Sequence, residues 1–148
     1  MTTFTIRPAT AGDAAELARL LTALGYPVTT ELAAARFATF SDAGEEAIAA
    51  ADADGTRLLG LATLHATPVL HRAGPVGRVT ALVVDPDARG RGIGRALMAA
   101  AEAWAAGRGC VLMEVTSNRR RTDAHAFYER LGYAGTSIRF GKEFSARG

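Results

Sequence analysis

Apolar residues recur with two different periods in the first third of the chain. Residues 4–7 alternate between apolar and polar side chains, which predicts a short strand that ends at Pro8. Leucines then recur at the i, i+3, i+4, i+7 spacing of an amphipathic helix, at Leu17, Leu20, Leu21 and Leu24. Gly25 ends this helix, and a second one is predicted over residues 30–40 after the break at Pro27.

The remaining pattern predicts further strands and helices. Strands are expected at residues 46–51, 58–66, 79–84, 110–116 and 136–144, and helices at residues 92–107 and 124–131. The strand, helix and strand between residues 79 and 116 form a βαβ unit, whose crossover makes its two strands parallel. We therefore predict one α/β domain over residues 1–148, with a mixed sheet in the element order β-α-α-β-β-β-α-β-α-β.

Composition narrows the class of protein. A chain of 148 residues with 49% hydrophobic and 22% charged residues fits one globular domain. Its one cysteine, Cys110, forms no internal disulfide and leaves no CxxC pair for zinc, so we expect no metal. The longest apolar stretch, residues 58–70, is too short to span a bilayer, and Met1 precedes polar residues. We expect a cytoplasmic protein with no membrane partner.

Charge is distributed unevenly along the chain. Residues 1–56 hold 3 basic and 8 acidic side chains, whereas residues 57–148 hold 14 basic and 7 acidic ones. The second half is therefore suited to meet an anion. Arginine provides 16 of the 17 basic residues, which fits bidentate phosphate recognition and equally fits a GC-rich genome. Because the arginines are dispersed among 15 acidic residues, we expect no nucleic acid partner.

A glycine-rich turn between a predicted strand and a predicted helix is the sharpest local feature. It reads VVDPDARGRGIGR over residues 83–95. Glycines let backbone N–H groups converge on an anion, and the helix N-terminus adds partial positive charge. A dinucleotide fingerprint would need glycine where Arg95 stands, and a P-loop would need Gly-Lys-Ser/Thr. Phosphate binding is the functional interpretation, and a turn without a ligand is the structural one.

Two motifs resemble those of the GNAT superfamily of N-acetyltransferases. Arg89, Gly92 and Gly94 form an RxxGxG that is similar to its acetyl-CoA-binding motif, and DAHAFYERLGY at residues 123–133 is similar to its A-x-x-FYE-x-LGY/F signature. The order of predicted elements matches over nearly the whole chain. The resemblance implies acetyl-CoA as co-substrate, and a twisted mixed sheet whose two central parallel strands splay apart to admit the pantetheine arm.

The resemblance also implies site residues. Tyr128, the tyrosine of FYE, is implied as the general acid that protonates the departing thiolate, with a core tyrosine as the structural alternative. Backbone groups of a bulged first strand are implied to bind the pantetheine arm and the thioester carbonyl, and the turn is implied to bind phosphates. These cofactor-binding residues are Leu82, Val83, Val84, Arg89, Gly90, Arg91, Gly92, Ile93, Gly94 and Arg95.

The segment before the last helix departs from the family pattern. Many members carry an asparagine seven residues before the tyrosine, where this chain has Arg121, while Asn118 lies ten residues before it. Both residues are candidates for contact with the coenzyme. A solvated basic loop is the alternative interpretation of the arginines at residues 119–121.

Candidates for handling the acceptor amine lie elsewhere. Glu114 is our candidate general base, because alternation places it on the strand face opposite Met113 and Val115; a salt bridge at the sheet rim is the alternative. In the family the first two helices and their linker cover the acceptor site, which makes Tyr26 of the linker a candidate substrate-binding residue. The loop around His71 is expected beside them, which makes His71 a second candidate. The acidic first half of the chain would attract a cationic amine.

The resemblance and the chemistry together predict an enzyme. We expect it to transfer an acetyl group from acetyl-CoA to a primary amine of a small molecule by direct attack. The alternatives are a protein or peptide N-acetyltransferase and a non-catalytic domain that senses acetyl-CoA. The sequence is compatible with a monomer and with a homodimer.

Overall fold

A computed structural model describes residues 3–116 and 121–145 of the chain. The strands within these residues are β1 (Phe4–Pro8), β2 (Glu46–Asp52), β3 (Leu58–Thr67), β4 (Val76–Val84) and β5 (Leu112–Val115). The helices are α1 (Ala14–Leu24), α2 (Thr30–Asp42), α3 (Ile93–Gly107) and α4 (Thr122–Arg130), with one-turn 3-10 helices at Ala11–Asp13 and Pro86–Ala88. The chain divides into two compact units, Met1–Val115 and Thr116–Gly148.

The first unit is built on a mixed sheet with the strand order β1-β2-β3-β4-β5. Each neighbouring pair is antiparallel except β4 and β5, which run parallel. Helix α3 connects these two strands, so the predicted βαβ unit is confirmed. Such a crossover brings the start of α3 to the carboxyl end of β4, where the glycine-rich turn lies.

Helices α1 and α2 cover one face of the sheet. The predicted leucine stripe is confirmed: Leu17 and Leu20 are buried and pack in one core with Leu61 and Val83 of the sheet. Gly25 ends α1 in the left-handed region, at φ +111°, which the absence of a Cβ allows.

Helix α3 packs closely on the other face. A Cβ added at Gly60 of β3 would lie 2.9 Å from both Ile93 Cγ2 and Leu97 Cδ1. Ile93 is the first residue of α3 and is buried. The missing side chain at Gly60 therefore sets how closely the start of α3 approaches the sheet.

The structure differs from the predicted elements in three places. β4 begins at Val76 rather than at residue 79, and β5 covers Leu112–Val115 rather than residues 110–116. No strand follows α4 in residues 131–145, although one was predicted at 136–144. Ile138, Phe140 and Phe144 are instead exposed. Alternation identifies residues that suit a strand, but only hydrogen bonds to a neighbouring strand make one.

None of the described helices is both long enough and apolar enough to cross a membrane. No three histidine, cysteine, aspartate or glutamate side chains in the described ranges lie together as metal ligands would.

Candidate active site

The glycine-rich turn joins β4 to α3 through two left-handed residues. Gly90 has φ +81° and Gly92, which caps α3, has φ +78°. A Cβ added at either residue would meet no atom within 4 Å, so glycine is required by backbone conformation rather than by space. The two glycines therefore bend the chain sharply from the strand into the helix.

The first turn of α3 presents unpaired backbone donors. Its first intrahelical hydrogen bond runs from the Ala96 N–H to the Gly92 carbonyl, at 3.0 Å. The N–H groups of Ile93, Gly94 and Arg95 precede that bond and have no partner inside the helix. Exposed arginines stand around them, at Arg89, Arg91 and Arg95, and form no ion pair with any described residue. Unpaired amides, a helix N-terminus and open guanidinium groups suit a phosphate-bearing ligand.

A buried carboxylate holds the turn from beneath. Asp85 is 2% exposed and follows the last residue of β4. It accepts hydrogen bonds from Arg19 Nη1 at 2.7 Å, Arg57 Nη2 at 2.9 Å and the Asp87 N–H at 3.0 Å. Burial acts to raise the pKa of Asp85, but the Asp87 amide and Arg19 outweigh it and hold that pKa below its ordinary value.

Arg19 extends this network to α1 and β3. Its guanidinium donates to both carboxylate oxygens of Glu16, at 2.9 and 3.0 Å, and to the Leu58 carbonyl at 2.7 Å. Glu16 in turn accepts the Leu58 N–H at 2.9 Å. We call Glu16, Arg19, Arg57 and Asp85 the turn anchor. Sequence reasoning did not predict it, because Arg19 and Asp85 are 66 positions apart, and only Asp85 lies in the glycine-rich turn.

Strand β4 carries a bulge and an open edge beyond it. Thr63 pairs with Ala81 and Leu64 with Val79, so Thr80 is the extra residue of a β-bulge. The ladder between β4 and β5 covers only Val76–Val79 of β4. The resemblance implied a bulge on this strand, and the structure contains one.

The last part of β4 directs some of its main chain to that open edge. Asp85 donates its N–H to the Leu59 carbonyl at 2.8 Å, on the β3 side. Because main-chain groups alternate in direction along a strand, Leu82 and Val84 point their N–H and C=O groups away from β3, while Val83 points its own toward β3. Leu82 and Val84 are the better placed of the three predicted residues to contact a ligand through the main chain.

In the second unit, Tyr128 lies on α4 within a small aromatic group. Its ring meets Phe127 edge-to-face at 5.3 Å between centroids, and Tyr133 at 6.2 Å. Ala124, Phe127, Tyr128 and Leu131 recur at the spacing of one helical face, and all four are half-buried. Burial raises the pKa of the Tyr128 phenol, and the positive charge of Arg121 opposes that rise only in part.

Of the two candidates before α4, Arg121 and Asn118, the structure describes only Arg121. Arg121 is the exposed N-cap residue of α4, and its carbonyl accepts the His125 N–H at 3.1 Å. Asn118 lies outside the described residues.

The three acceptor-site candidates are spread over the first unit. Glu114 is exposed on β5, paired in register with Arg78 of β4. Tyr26 is 68% exposed in the linker between α1 and α2, and His71 is exposed between β3 and β4. None of the three side chains forms a hydrogen bond or ion pair with the described part of the chain.

Comparison with known proteins decides the family. Residues 14–133 match the acetyltransferase (GNAT) family. The chain belongs to this family. It is 42% identical over 85 residues to an aminoalkylphosphonate N-acetyltransferase of Salmonella typhimurium, a match that covers 57% of this chain and 55% of that protein. It is 33% identical to an aminoglycoside N(6′)-acetyltransferase of Stenotrophomonas maltophilia, over 89% of this chain and 87% of that one.

The fold of this GNAT chain also matches solved structures. A crystal structure of an aminoglycoside N-acetyltransferase in complex with CoA superposes with a TM-score of 0.84 over 99% of this chain and 97% of that one. The two sequences are 20% identical, so this match supports the fold alone. The structure match shows the family's mixed sheet, and the family match together with the named relatives shows that the chain is an acetyltransferase.

Proposed function

We propose that the protein transfers the acetyl group of acetyl-CoA to the primary amine of a small molecule by direct attack. The observation that carries this is the turn between β4 and α3, where left-handed Gly90 and Gly92 expose unpaired amides among three open arginines. Relatives named for aminoalkylphosphonates and aminoglycosides support a small-molecule amine over a protein acceptor.

The turn provides the coenzyme site of this proposal. The amides of Ile93, Gly94 and Arg95 would bind the phosphates, with Arg89 and Arg91 beside them. The main-chain N–H and C=O groups of Leu82 and Val84 at the open edge would hydrogen-bond to the pantetheine arm. Their N–H groups would also donate to the thioester oxygen as negative charge develops there. Acetyl-CoA supplies the activated acyl carbon, and these groups of the chain bind and orient it.

Two side chains of the chain manage protons in the proposed reaction. The amine nitrogen forms the new C–N bond to the acyl carbon while the C–S bond breaks. We assign to Glu114 the proton lost by the amine, and to Tyr128 the proton gained by the coenzyme sulfur. The Tyr128 phenol carries its proton at neutral pH, as an acid must, and burial raises its pKa further. Glu114 is exposed, as a group that meets an incoming ammonium must be.

The coenzyme site is tested by calorimetry on purified protein. Wild type should bind acetyl-CoA, and Gly92→Glu should abolish binding, because it puts a side chain at φ +78° and a negative charge among the phosphate-binding amides. Gly107→Glu, at the other end of α3, is the matched control. Wild type that binds no acetyl-CoA would refute the proposed function.

The acid is tested by thiol release across a panel of small amines. Tyr128→Phe should lower kcat by about 10²-fold or more with little change in the affinity for acetyl-CoA. Tyr133→Phe removes a hydroxyl from the same aromatic group and is the matched control. A fully active Tyr128→Phe would remove Tyr128 from the mechanism and leave the coenzyme site standing.

A further inference from the structure

Four ionisable residues lie side by side across the sheet of the first unit. Arg78 of β4 pairs in register with His65 of β3 on one side and with Glu114 of β5 on the other. Glu45 precedes β2, and its Oε2 lies 3.9 Å from His65 Nδ1. Neighbouring strands are about 4.8 Å apart, so each member is within side-chain reach of the next. We call Glu45, His65, Arg78 and Glu114 the charged row.

The charged row lies on the face of the sheet that α1 and α2 cover further along. On β3, Leu61 and His65 are four residues apart and therefore share a face, and Leu61 packs in the core with α1. The row itself is open to solvent: the side chains of His65 and Glu45 are 30% and 29% exposed, and Glu114 is exposed. A small molecule can therefore reach it.

Arg78 is the unusual member of the charged row. It is half-buried, yet it forms no hydrogen bond or ion pair within residues 3–116 and 121–145. Glu114 is its neighbour on β5, but their charged atoms do not come within 4.0 Å. The half-buried Arg7 and Arg19 both bind carboxylates at 2.7–2.9 Å. Its guanidinium nitrogens reach solvent, because Trp104 Nε1 is the one buried side-chain nitrogen or oxygen without a partner among the described residues. The donors of Arg78 are therefore free for a ligand, and the ligand group that suits them is an anion.

We propose that the charged row recognises an acceptor amine that also carries a compact anionic group, such as a phosphonate, sulfonate or carboxylate. This inference rests on the proposed function, since it identifies the class of acceptor for the same transfer. Arg78 holds the anionic group with two parallel N–H bonds, and Glu114 holds the ammonium one strand away. The two side chains start from neighbouring strands about 4.8 Å apart and their charged atoms are more than 4.0 Å apart, which leaves room for a ligand whose two charges are separated by a few carbons.

The signs along the row favour a zwitterion over a simple anion. Arg78 lies between Glu114 on β5 and, beyond His65, Glu45 before β2. These carboxylates repel an anion that arrives alone, whereas an attached ammonium turns the Glu114 charge into an attraction. An anion without an amine should therefore bind more weakly than the matching amino compound.

Thiol release with matched acceptors tests the inference. The probes are 2-aminoethylphosphonate, taurine and β-alanine, which carry three different anions, and ethanolamine, which carries none. Wild type should favour the best of the three over ethanolamine by about 10- to 100-fold in kcat/KM, mainly through KM, the range expected for hydrogen bonds to a charged group. Comparison of the phosphonate, the sulfonate and the carboxylate among these amines identifies the anionic group that Arg78 prefers.

Substitutions at Arg78 locate that preference. Arg78→Gln should bring the ratio close to one, and Arg78→Lys should restore part of it, because lysine keeps the charge and loses the two-pronged geometry. Arg108→Gln is the matched control, because Arg108 is exposed at the end of α3, where it stacks on Trp104 at 4.6 Å. It should keep the wild-type ratio.

The two proposals fail in different ways. Thiol release with ethanolamine as good as with all three anionic amines, or a preference that survives Arg78→Gln, would overturn the charged row and leave the acetyltransfer intact. No thiol release with any amine would count against the proposed function. In that case titration with 2-aminoethylphosphonate and with ethylphosphonate decides: tighter binding of the amino compound that Arg78→Gln abolishes supports the row, and no binding overturns it.

Discussion

Two charged clusters in the first unit use arginine in opposite ways. In the turn anchor, Arg19 and Arg57 meet Asp85 at 2.7 and 2.9 Å, and Asp85 is 2% exposed. In the charged row, Arg78 lies beside Glu114 in register but pairs with no described residue. The turn anchor holds structure because its charges are paired and hydrogen-bonded, and the charged row is available to a ligand because Arg78 and Glu114 have no partner among the described residues.

The difference agrees with the roles proposed for the two clusters. A phosphate-binding turn needs amides fixed in position before the ligand arrives, and a buried carboxylate with three donors fixes them. An acceptor site needs donors and acceptors that are still free, at some cost in folding free energy. Substitutions in the turn anchor should therefore act mainly on stability, and substitutions in the charged row mainly on substrate choice.

The largest expected effect is that of Asp85→Asn on stability. It keeps the shape of the side chain but leaves Arg19 and Arg57 facing an amide instead of a carboxylate. The free energy of unfolding should therefore fall by about 3 kcal/mol. This is the lower end of the range for breaking a buried ion pair, because both arginines reach solvent. The melting temperature should fall by about 6–12 °C. Urea unfolding followed by circular dichroism measures it.

Asp54→Asn is the matched control for this change. Asp54 is exposed in the β2–β3 hairpin, so its neutralisation should cost less than about 0.5 kcal/mol. Equal losses in the two variants would show that the turn anchor contributes no more than a surface charge.

A smaller loss is expected for Arg19→Gln. It removes donors from Glu16, Asp85 and the Leu58 carbonyl, but Asp85 keeps Arg57 and the Asp87 amide. Because the Arg19 side chain is 32% exposed, the unfolding free energy should fall by about 2 kcal/mol. A double-mutant cycle with Asp85→Asn should show strong coupling, and additive losses would contradict the network.

Lowering the pH should weaken the turn anchor gradually. The pKa of Glu16 is lowered chiefly by Arg19, and that of Asp85 is held below its ordinary value by the Asp87 amide and Arg19. Depressed pKa values in the folded state mean that this stability is present above the unfolded values, near 4, and is lost as pH falls through the folded ones.

The measurement for this prediction is the urea midpoint as the pH is lowered from about 5 to below about 4, because the lowered pKa values of the folded state lie on the acid side of the unfolded ones. Wild type should lose stability steadily over this range. Asp85→Asn should lose less, since one of the titrating groups is gone. Parallel curves for the two proteins would mean that Asp85 is not a source of the acid sensitivity.

Sequence reasoning predicted the local features of this molecule and missed the long-range ones. The leucine stripe of α1, the glycine-rich turn before α3 and the helix that carries Tyr128 each depend on residues a few positions apart. The strand predicted at residues 136–144 needed a partner that alternation does not encode.

The same limit explains why neither charged cluster was predicted. The turn anchor joins positions 66 apart, and the charged row exists only because the register sets Arg78 beside both His65 and Glu114. A bulge at Thr80 contributes, since it decides which residues of β4 face α1 and α2. No local pattern specifies such a register. Glu114 alone was proposed from the sequence, and the structure adds its neighbours.

The smallest expected effect sharpens the comparison most directly, because it repeats one substitution in the other cluster. Arg78→Gln should change the unfolding free energy by less than about 0.5 kcal/mol, against about 2 kcal/mol for Arg19→Gln, since no described residue loses a partner. A slight gain is within this range, because a half-buried unpaired charge is removed. A loss of about 2 kcal/mol from Arg78→Gln would show that Arg78 holds the fold, and would remove the reason for assigning it to a ligand.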